Sequence, residues 1–307
     1  GGARFAGLEP TRGSSDVPLA LTRSDARLGF TLRAGTTFDY AGGPTHANRL
    51  GLRGDAPAPD EAVSVLALGD ELTFGWGVAD ADTYPAELAR RLQERCRSCG
   101  RVVNAGVPGY TSYQGLMLLR ALGPTLRPRV VVVAFHLNDA LLDTVPSAVN
   151  TELNASGLGH RLDTRLRTES QLYGWIRQRM DLPEPGWWTA TARVSLSRYN
   201  QTLRAINAEA RRLGTVVVHL NIGFGAELAD IGAQRLRRGR FESDYHAIMR
   251  EVARLNSGAL AEFIGPELTA TTMFDATHPN PEGYRRIAAA VGEVIDAHGL
   301  LASGGPS

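Results

Sequence analysis

The chain has 307 residues, of which 43% are hydrophobic and 21% charged, and its formal net charge is +1. This is an ordinary globular composition with enough apolar residues for a sizeable core, and it gives no electrostatic case for nucleic acid as a partner. No apolar run approaches the ~20 residues of a membrane-spanning helix; the longest, Val130 to Phe135, has the length of a strand.

The first residue is Gly1 rather than Met, a start compatible with removal of a signal peptide or anchor. The compartment therefore stays open between cytoplasm and export, and no feature sets an oligomeric state. Cys96 and Cys99 are the only cysteines. Two thiols three residues apart read as a local turn or local disulfide, since no second pair or nearby histidine completes a metal or redox motif. No cofactor is expected. The arginines 235, 237, 238 and 240 read as a solvated helix face.

Residues 1–60 are rich in Gly, Pro, Thr and Arg and predict an N-terminal arm with short strands, such as Leu28 to Leu32, and a turn at Gly42-Gly43-Pro44. The main domain is expected over residues 61–300. It opens with a near-continuous apolar strand, Val63 to Leu68. A helix follows from Tyr84 to Cys96, then a strand over Val102-Val103-Asn104, a helix from Ser112 to Leu122 and the strand Val130 to Phe135. Residues 141–195 break the rhythm and predict an insertion with a helical piece from Glu169 to Met180 and a tryptophan pair, Trp187 and Trp188, that packs on the core. An amphipathic helix spans Ser197 to Leu213, ended by Gly214, and Thr215 to Leu220 is a strand. Residues 241–263 are expected to be helical, and Pro281 to His298 forms the last helix, with proline at its start. Residues 301–307 are a Gly/Ser tail. Alternating strands and helices imply a parallel sheet, whose reactive groups lie in loops at the carboxyl ends of the strands.

Four loops occupy those ends: Gly69-Asp70-Glu71-Leu72-Thr73-Phe74-Gly75; Asn104-Ala105-Gly106-Val107-Pro108-Gly109-Tyr110-Thr111-Ser112; His136-Leu137-Asn138-Asp139; and Asp275-Ala276-Thr277-His278-Pro279-Asn280. On a turn, Asp275 can orient the His278 imidazole and stabilise its charged form. Glycine N–H groups in the second loop and the Asn138 side chain can together make an oxyanion hole.

In order and spacing these loops resemble the four sequence blocks of the SGNH/GDSL hydrolases, over roughly residues 62–298. The stretches Asn48 to Gly54 and Trp76-Gly77-Val78 are similar to bacterial members as well. The resemblance implies the SGNH fold, a flavodoxin-like three-layer α/β/α sandwich with a central parallel sheet. It also implies ester or acyl chemistry on a small molecule, which could include polyketide- or sugar-like substrates. It makes Gly109 and Asn138 oxyanion donors, His278 the general base and Asp275 its partner. The family's nucleophilic serine falls on position 71, where this chain has glutamate, and His136 stands where a glycine often opens the third block.

Glu71 cannot form an acyl-serine intermediate. Three readings stay open. Glu71 can disable the site, by an ion pair with His278 or by filling the hole made by Gly109 and Asn138, leaving a pseudoenzyme or ligand-binding module. It can work with the His278–Asp275 pair as a general acid/base set. Or another hydroxyl, from Thr73, Thr111 or Ser112, replaces the serine; Thr73 reads instead as buried, and Thr111 and Ser112 as a helix cap. Asp70, Tyr110 and His136 are candidate substrate-binding neighbours. A Glu71–His136–His278 metal set lacks any metal-binding spacing, so no metal is expected. His219 reads as a core histidine, and Asp139 and Asp143 as loop-fixing residues. Asn154-Ala155-Ser156 and Asn200-Gln201-Thr202 read as chance glycosylation matches.

Overall fold

The computed structural model describes residues 21–25, 27–59, 61–95, 99, 101–140, 142–143, 191–224 and 244–301. The helix expected over 169–180, Trp187, Trp188, the sequence around Asn154, Cys96 and the arginine cluster at 235–240 lie outside these residues.

In chain order the strands are β1 (Thr22–Asp25), β2 (Gly29–Leu32), β3 (Thr36–Tyr40), β4 (Gly43–Ala47), β5 (Val65–Gly69), β6 (Val102–Gly106), β7 (Val130–Ala134), β8 (Leu142–Asp143), β9 (Thr191–Ala192), β10 (Val216–Ile222) and β11 (Leu260–Phe263). The helices are α1 (Glu71–Phe74), α2 (Tyr84–Arg95), α3 (Ser112–Leu126), α4 (Leu137–Ala140), α5 (Leu196–Arg212), α6 (residues 244–254) and α7 (Pro281–Ala297).

Five strands form one parallel sheet in the order β11-β10-β7-β5-β6. The first strand of the sheet thus lies between the second and third, the flavodoxin-like order, and the crevice above their carboxyl ends is where such sheets carry a site. Side chains alternate across the sheet. Leu66, Leu68, Val131 and Val133 pack with α3, α5 and α6 through Leu119, Leu203, Ile206 and Met249. Val65, Ala67, Val130 and Val132 pack with α2 and α7 through Leu88, Leu92, Ile287 and Val291. Covering both faces makes a three-layer α/β/α sandwich and explains why β5 and β7 carry hardly a polar residue.

Residues 241–263 are not helical throughout. The helix ends at 254, and Leu260–Phe263 is β11, the edge strand paired to β10. Gly258, at φ 71°, turns the chain into it. An edge strand of four residues buries only alternate side chains, Ala261 and Phe263, so it lacks the apolar run that marks β5 and β7. Cys99 is buried and disulfide-bonded.

Two antiparallel hairpins, β1–β2 and β3–β4, precede the sheet. Leu32, Tyr40 and Ala47 pack against Phe74 and Trp76 of the loop after β5. Arg53 ties that loop down from below. Its guanidinium donates to Phe74 O (2.9 Å), Gly75 O (2.5 Å) and Val78 O (2.6 Å), and Nε pairs with Asp80 at 2.6 Å. Asn104 Nδ2 adds donors to Thr73 O and Phe74 O. The carbonyls left over at the end of a one-turn helix are thereby satisfied. Arg53→Ala removes the donors to Gly75 O and Val78 O and the guanidinium beside Asp80, while Phe74 O keeps Asn104, so we expect a loss of about 2–4 kcal/mol in urea unfolding. Lysine, a single point donor, should restore only part of it.

His219 sits in β10 as a core histidine, its Nε2 accepting from Asn207 Nδ2 at 3.2 Å. Burial pushes its imidazolium down from 6.5 to about 4. Between those values the unfolded chain binds a proton that the folded ring refuses, so stability falls as pH drops from 6.5 to 4. The contribution is of the order of 3 kcal/mol. Asp139, pushed up to about 6, acts in the opposite sense over part of that range. Comparing His219→Gln with wild type cancels Asp139: the difference in urea midpoint between pH 7 and pH 4.5 should shrink in the variant.

Candidate active site

The loop after β5 is a tight strand-to-helix turn. A Cβ on Gly69 would lie 2.0 Å from Thr73 Oγ1, so only glycine lets the chain fold back here. Asp70 caps α1, its Oδ1 accepting from Leu72 N at 3.0 Å. Glu71 is the first helical residue, and its side chain is almost wholly buried, with a relative exposure of 1%. Gly106 brings β6 against this turn, because a Cβ there would meet Phe74 N at 2.3 Å.

The carboxylate of Glu71 is held from two neighbouring strand ends. Gly109 N, beyond β6, donates to Glu71 Oε2 at 3.1 Å, and Asn138 Nδ2, in α4 beyond β7, donates to the same oxygen at 2.7 Å. Gly109 has φ 82°, a backbone that favours glycine. Arg193 Nη1 lies 3.4 Å from Asn138 Oδ1, which agrees with an amide whose nitrogen faces Glu71. One carboxylate oxygen thus takes a backbone and a side-chain donor from two separate loops.

The fourth loop supplies the imidazole. Asp275 Oδ1 accepts from Thr277 N and His278 N, and both its oxygens lie 2.9–3.0 Å from His278 Nδ1. Partial burial opposes its charge, but the hydrogen bond and charge of His278 and the two backbone donors hold the carboxyl at about 2. His278 Nε2 is buried and has no hydrogen-bond partner among the described residues. The ion pair considered between Glu71 and His278 is therefore not made. Glu71 Oε2 accepts instead from Gly109 N and Asn138 Nδ2.

Trp76 links the two halves. Its backbone N–H donates to Glu71 O (3.2 Å) and Tyr284 Oη (3.1 Å), and its ring stacks on His278 with centroids 4.1 Å apart and 20° between planes. One residue past Asn138, Asp139 accepts from Ser112 N (3.0 Å) and Oγ (2.5 Å), tying α4 to the start of α3. Burial pushes Asp139 up to about 6 against these hydrogen bonds. Burial and then the Glu71 charge push Asp70 well above the usual carboxylate range.

The structure thus brings Glu71, Gly109 and Asn138 together, and Asp275 and His278 together. It directs the other candidates elsewhere. The Asp70 side chain caps α1. Tyr110 is buried, donates its hydroxyl to Phe30 O and packs edge-on against the Phe30 ring. His136 is buried edge-on against His246, and burial pushes its imidazolium down to about 4. Thr73 is buried beside Tyr84, and Thr111 forms a capping box with Gln114. Among the described residues no three His, Cys, Asp or Glu side chains converge as a metal site. Sequence reasoning assigned no role to Trp76, Arg53 or Arg193. The first two lie in stretches whose only signal was resemblance, and Arg193 lies in the irregular insertion.

The family model described as GDSL-like Lipase/Acylhydrolase matches residues 67–286. Thioesterase 1/protease 1/lysophospholipase L1 of Escherichia coli (strain K12) is 36% identical over 92 residues, 30% of this chain and 42% of that protein. Esterase TesA of Pseudomonas aeruginosa is 33% identical over 92 residues, 30% of this chain and 45% of that protein. The aligned stretch therefore spans less than half the length of these relatives. Among solved structures, LAE5, an α/β hydrolase from the metagenome of Lake Arreo, Spain, is 21% identical with a TM-score of 0.49, covering 79% of this chain and 98% of that one. The family match runs from the strand before Glu71 to the helix after His278 and takes in well over half of the sequence. On that ground the chain belongs to the GDSL-like lipase/acylhydrolase family, the SGNH hydrolases.

Proposed function

We propose that this chain is a hydrolase of a small ester or acyl substrate that works without an acyl-serine intermediate. In this reading Glu71 stands where the family has its serine and acts with the His278–Asp275 pair as a general acid/base set. The observation that carries it is the convergence of Gly109 N–H and Asn138 Nδ2 on one carboxylate oxygen, with an unpartnered His278 Nε2 in the same site. Donors that hold a carboxylate oxygen are suited to hold the oxyanion of a tetrahedral intermediate.

The chemistry follows from these groups. The substrate carbonyl oxygen displaces Glu71 Oε2 from the two donors. The freed carboxylate takes a proton from water, and the hydroxide adds to the carbonyl carbon, its oxyanion resting on Gly109 and Asn138. The His278 imidazolium, stabilised by Asp275, gives a proton to the departing alkoxide as the C–O bond breaks. Transfer of the proton from Glu71 back to His278 restores the site, and the net reaction is ester plus water to acid plus alcohol.

The same hydrogen bonds favour a second reading, in which the charged occupant is never displaced and the scaffold only binds its ligand. Activity separates the two. With 4-nitrophenyl acetate, the first reading expects slow steady-state hydrolysis by wild type with no burst. It expects Glu71→Gln to lower kcat/KM by about 10²-fold or more, the usual size of an acid/base contribution. Glu71→Ser should show a burst of acyl-enzyme, because it opens the hole and supplies a nucleophile. Inert wild type beside an active Glu71→Ser would decide for the binding module. Hydrolysis by wild type that survives Glu71→Gln would remove Glu71 from the mechanism. Asn138→Ala should cost about 10²–10³-fold in kcat in whichever variant turns over.

A further inference from the structure

Beside the hole stands an aromatic surface for which the proposed reaction has no use. Among the described residues only two large hydrophobic side chains are exposed, Leu255 at 48% and Phe274 at 50%. Leu255 lies just past α6, away from the site loops. Phe274 directly precedes Asp275. A lone exposed apolar side chain is unremarkable on a protein surface, but this one is held firmly at its backbone. Its N–H donates to His278 O at 2.8 Å, and its neighbour Met273 bridges to Pro279, so the turn that carries the Asp275–His278 pair also carries the ring.

The ring packs edge-on against Trp76, with centroids 6.1 Å apart and 64° between planes, and Trp76 stacks on His278. Gly77, whose φ of 70° favours glycine, lies beside the ring, and a Cβ there would sit in contact with Phe274 Cε2 at 3.4 Å. Phe274, Trp76 and His278 thus form a continuous run of rings from solvent to the imidazole. An independent feature belongs to the same run. Trp76 is only 6% exposed, and its Nε1 donor is buried with no acceptor among the described residues. A buried donor left without an acceptor is costly, and a ligand oxygen is one way to satisfy it.

The geometry points to Phe274 as a specificity residue: its exposed ring, braced edge-on by Trp76, is a platform for a flat aromatic group of the substrate, borne by an ester or acyl compound whose oxygen accepts from Trp76 Nε1. This rests on the reading of the site proposed above and narrows its substrate class to aryl compounds. An aliphatic ester offers the same oxygen to the indole donor but presents no flat ring to the face of Phe274.

Two measurements test it, one of which needs no turnover. Binding of 2-naphthol, the alcohol product of an aryl ester, is followed by isothermal titration calorimetry with wild type, Phe274→Ala and Phe274→Tyr. Phe274 is half exposed, so the variants should fold as wild type does. The expected result is a Kd about three- to ten-fold weaker for alanine, the size of one aromatic pair, with tyrosine close to wild type. Equal affinity in wild type and Phe274→Ala, or no binding of 2-naphthol to wild type, would overturn the inference. In the Glu71→Ser background, adding Phe274→Ala should lower kcat/KM for 2-naphthyl acetate while leaving that for ethyl acetate within two-fold. An equal loss on both esters would count against the platform. If wild type hydrolyses neither ester, the proposed reaction fails, and the calorimetry still decides the aromatic platform by itself.

Discussion

A carboxylate taken out of water must find donors, and the site is arranged around how Glu71 finds them. Its helix is one turn long, and its side chain has nowhere to go but inward. The compensation comes from the ends of two neighbouring strands, through a backbone N–H at Gly109 and an amide at Asn138. Neither donor is close to Glu71 in sequence. Only the strand order, with β5 between β6 and β7, brings both to one oxygen.

The remaining polar groups serve this arrangement. Three acids, Asp70, Glu71 and Asp139, are buried near one another, and each is handled differently. Asp70 spends one oxygen on the α1 cap and is driven toward its neutral form by burial and by Glu71. Asp139 is bound by Ser112. Glu71 alone takes two donors from separate loops. Arg53 fixes the far end of the same turn by occupying three carbonyls, and so sets where Trp76 begins. Trp76 then stacks on His278, so the imidazole plane depends on a chain of contacts that begins in the N-terminal segment.

Family membership and reaction stand on different footing. The first follows from a match over residues 67–286. The second, as proposed, turns on one side chain, Glu71, and on whether a substrate oxygen can take its place at the two donors. A scaffold of this kind keeps its donors aimed at a point whether the oxygen there belongs to a substrate or to the protein.

Four strands of the parallel sheet, β5, β6, β7 and β10, were legible in the sequence. β5, β7 and β10 are apolar runs between turn residues, and helices with a clear apolar stripe alternate with them. β11 was not, because four half-buried residues at a sheet edge carry no distinctive period. The Asp275–His278 pair was legible because its partners are three residues apart on a turn. The sequence by itself therefore determined the layered α/β class, the four loops and the unusual glutamate among them. Tertiary structure decided the rest: that Glu71 turns to Gly109 and Asn138 and leaves His278 Nε2 unpartnered, that Tyr110 turns to Phe30, and that Trp76 covers His278. Those outcomes depend on distances between residues tens of positions apart. Such distances follow from the packing of strand ends and are not encoded in the local pattern of residues.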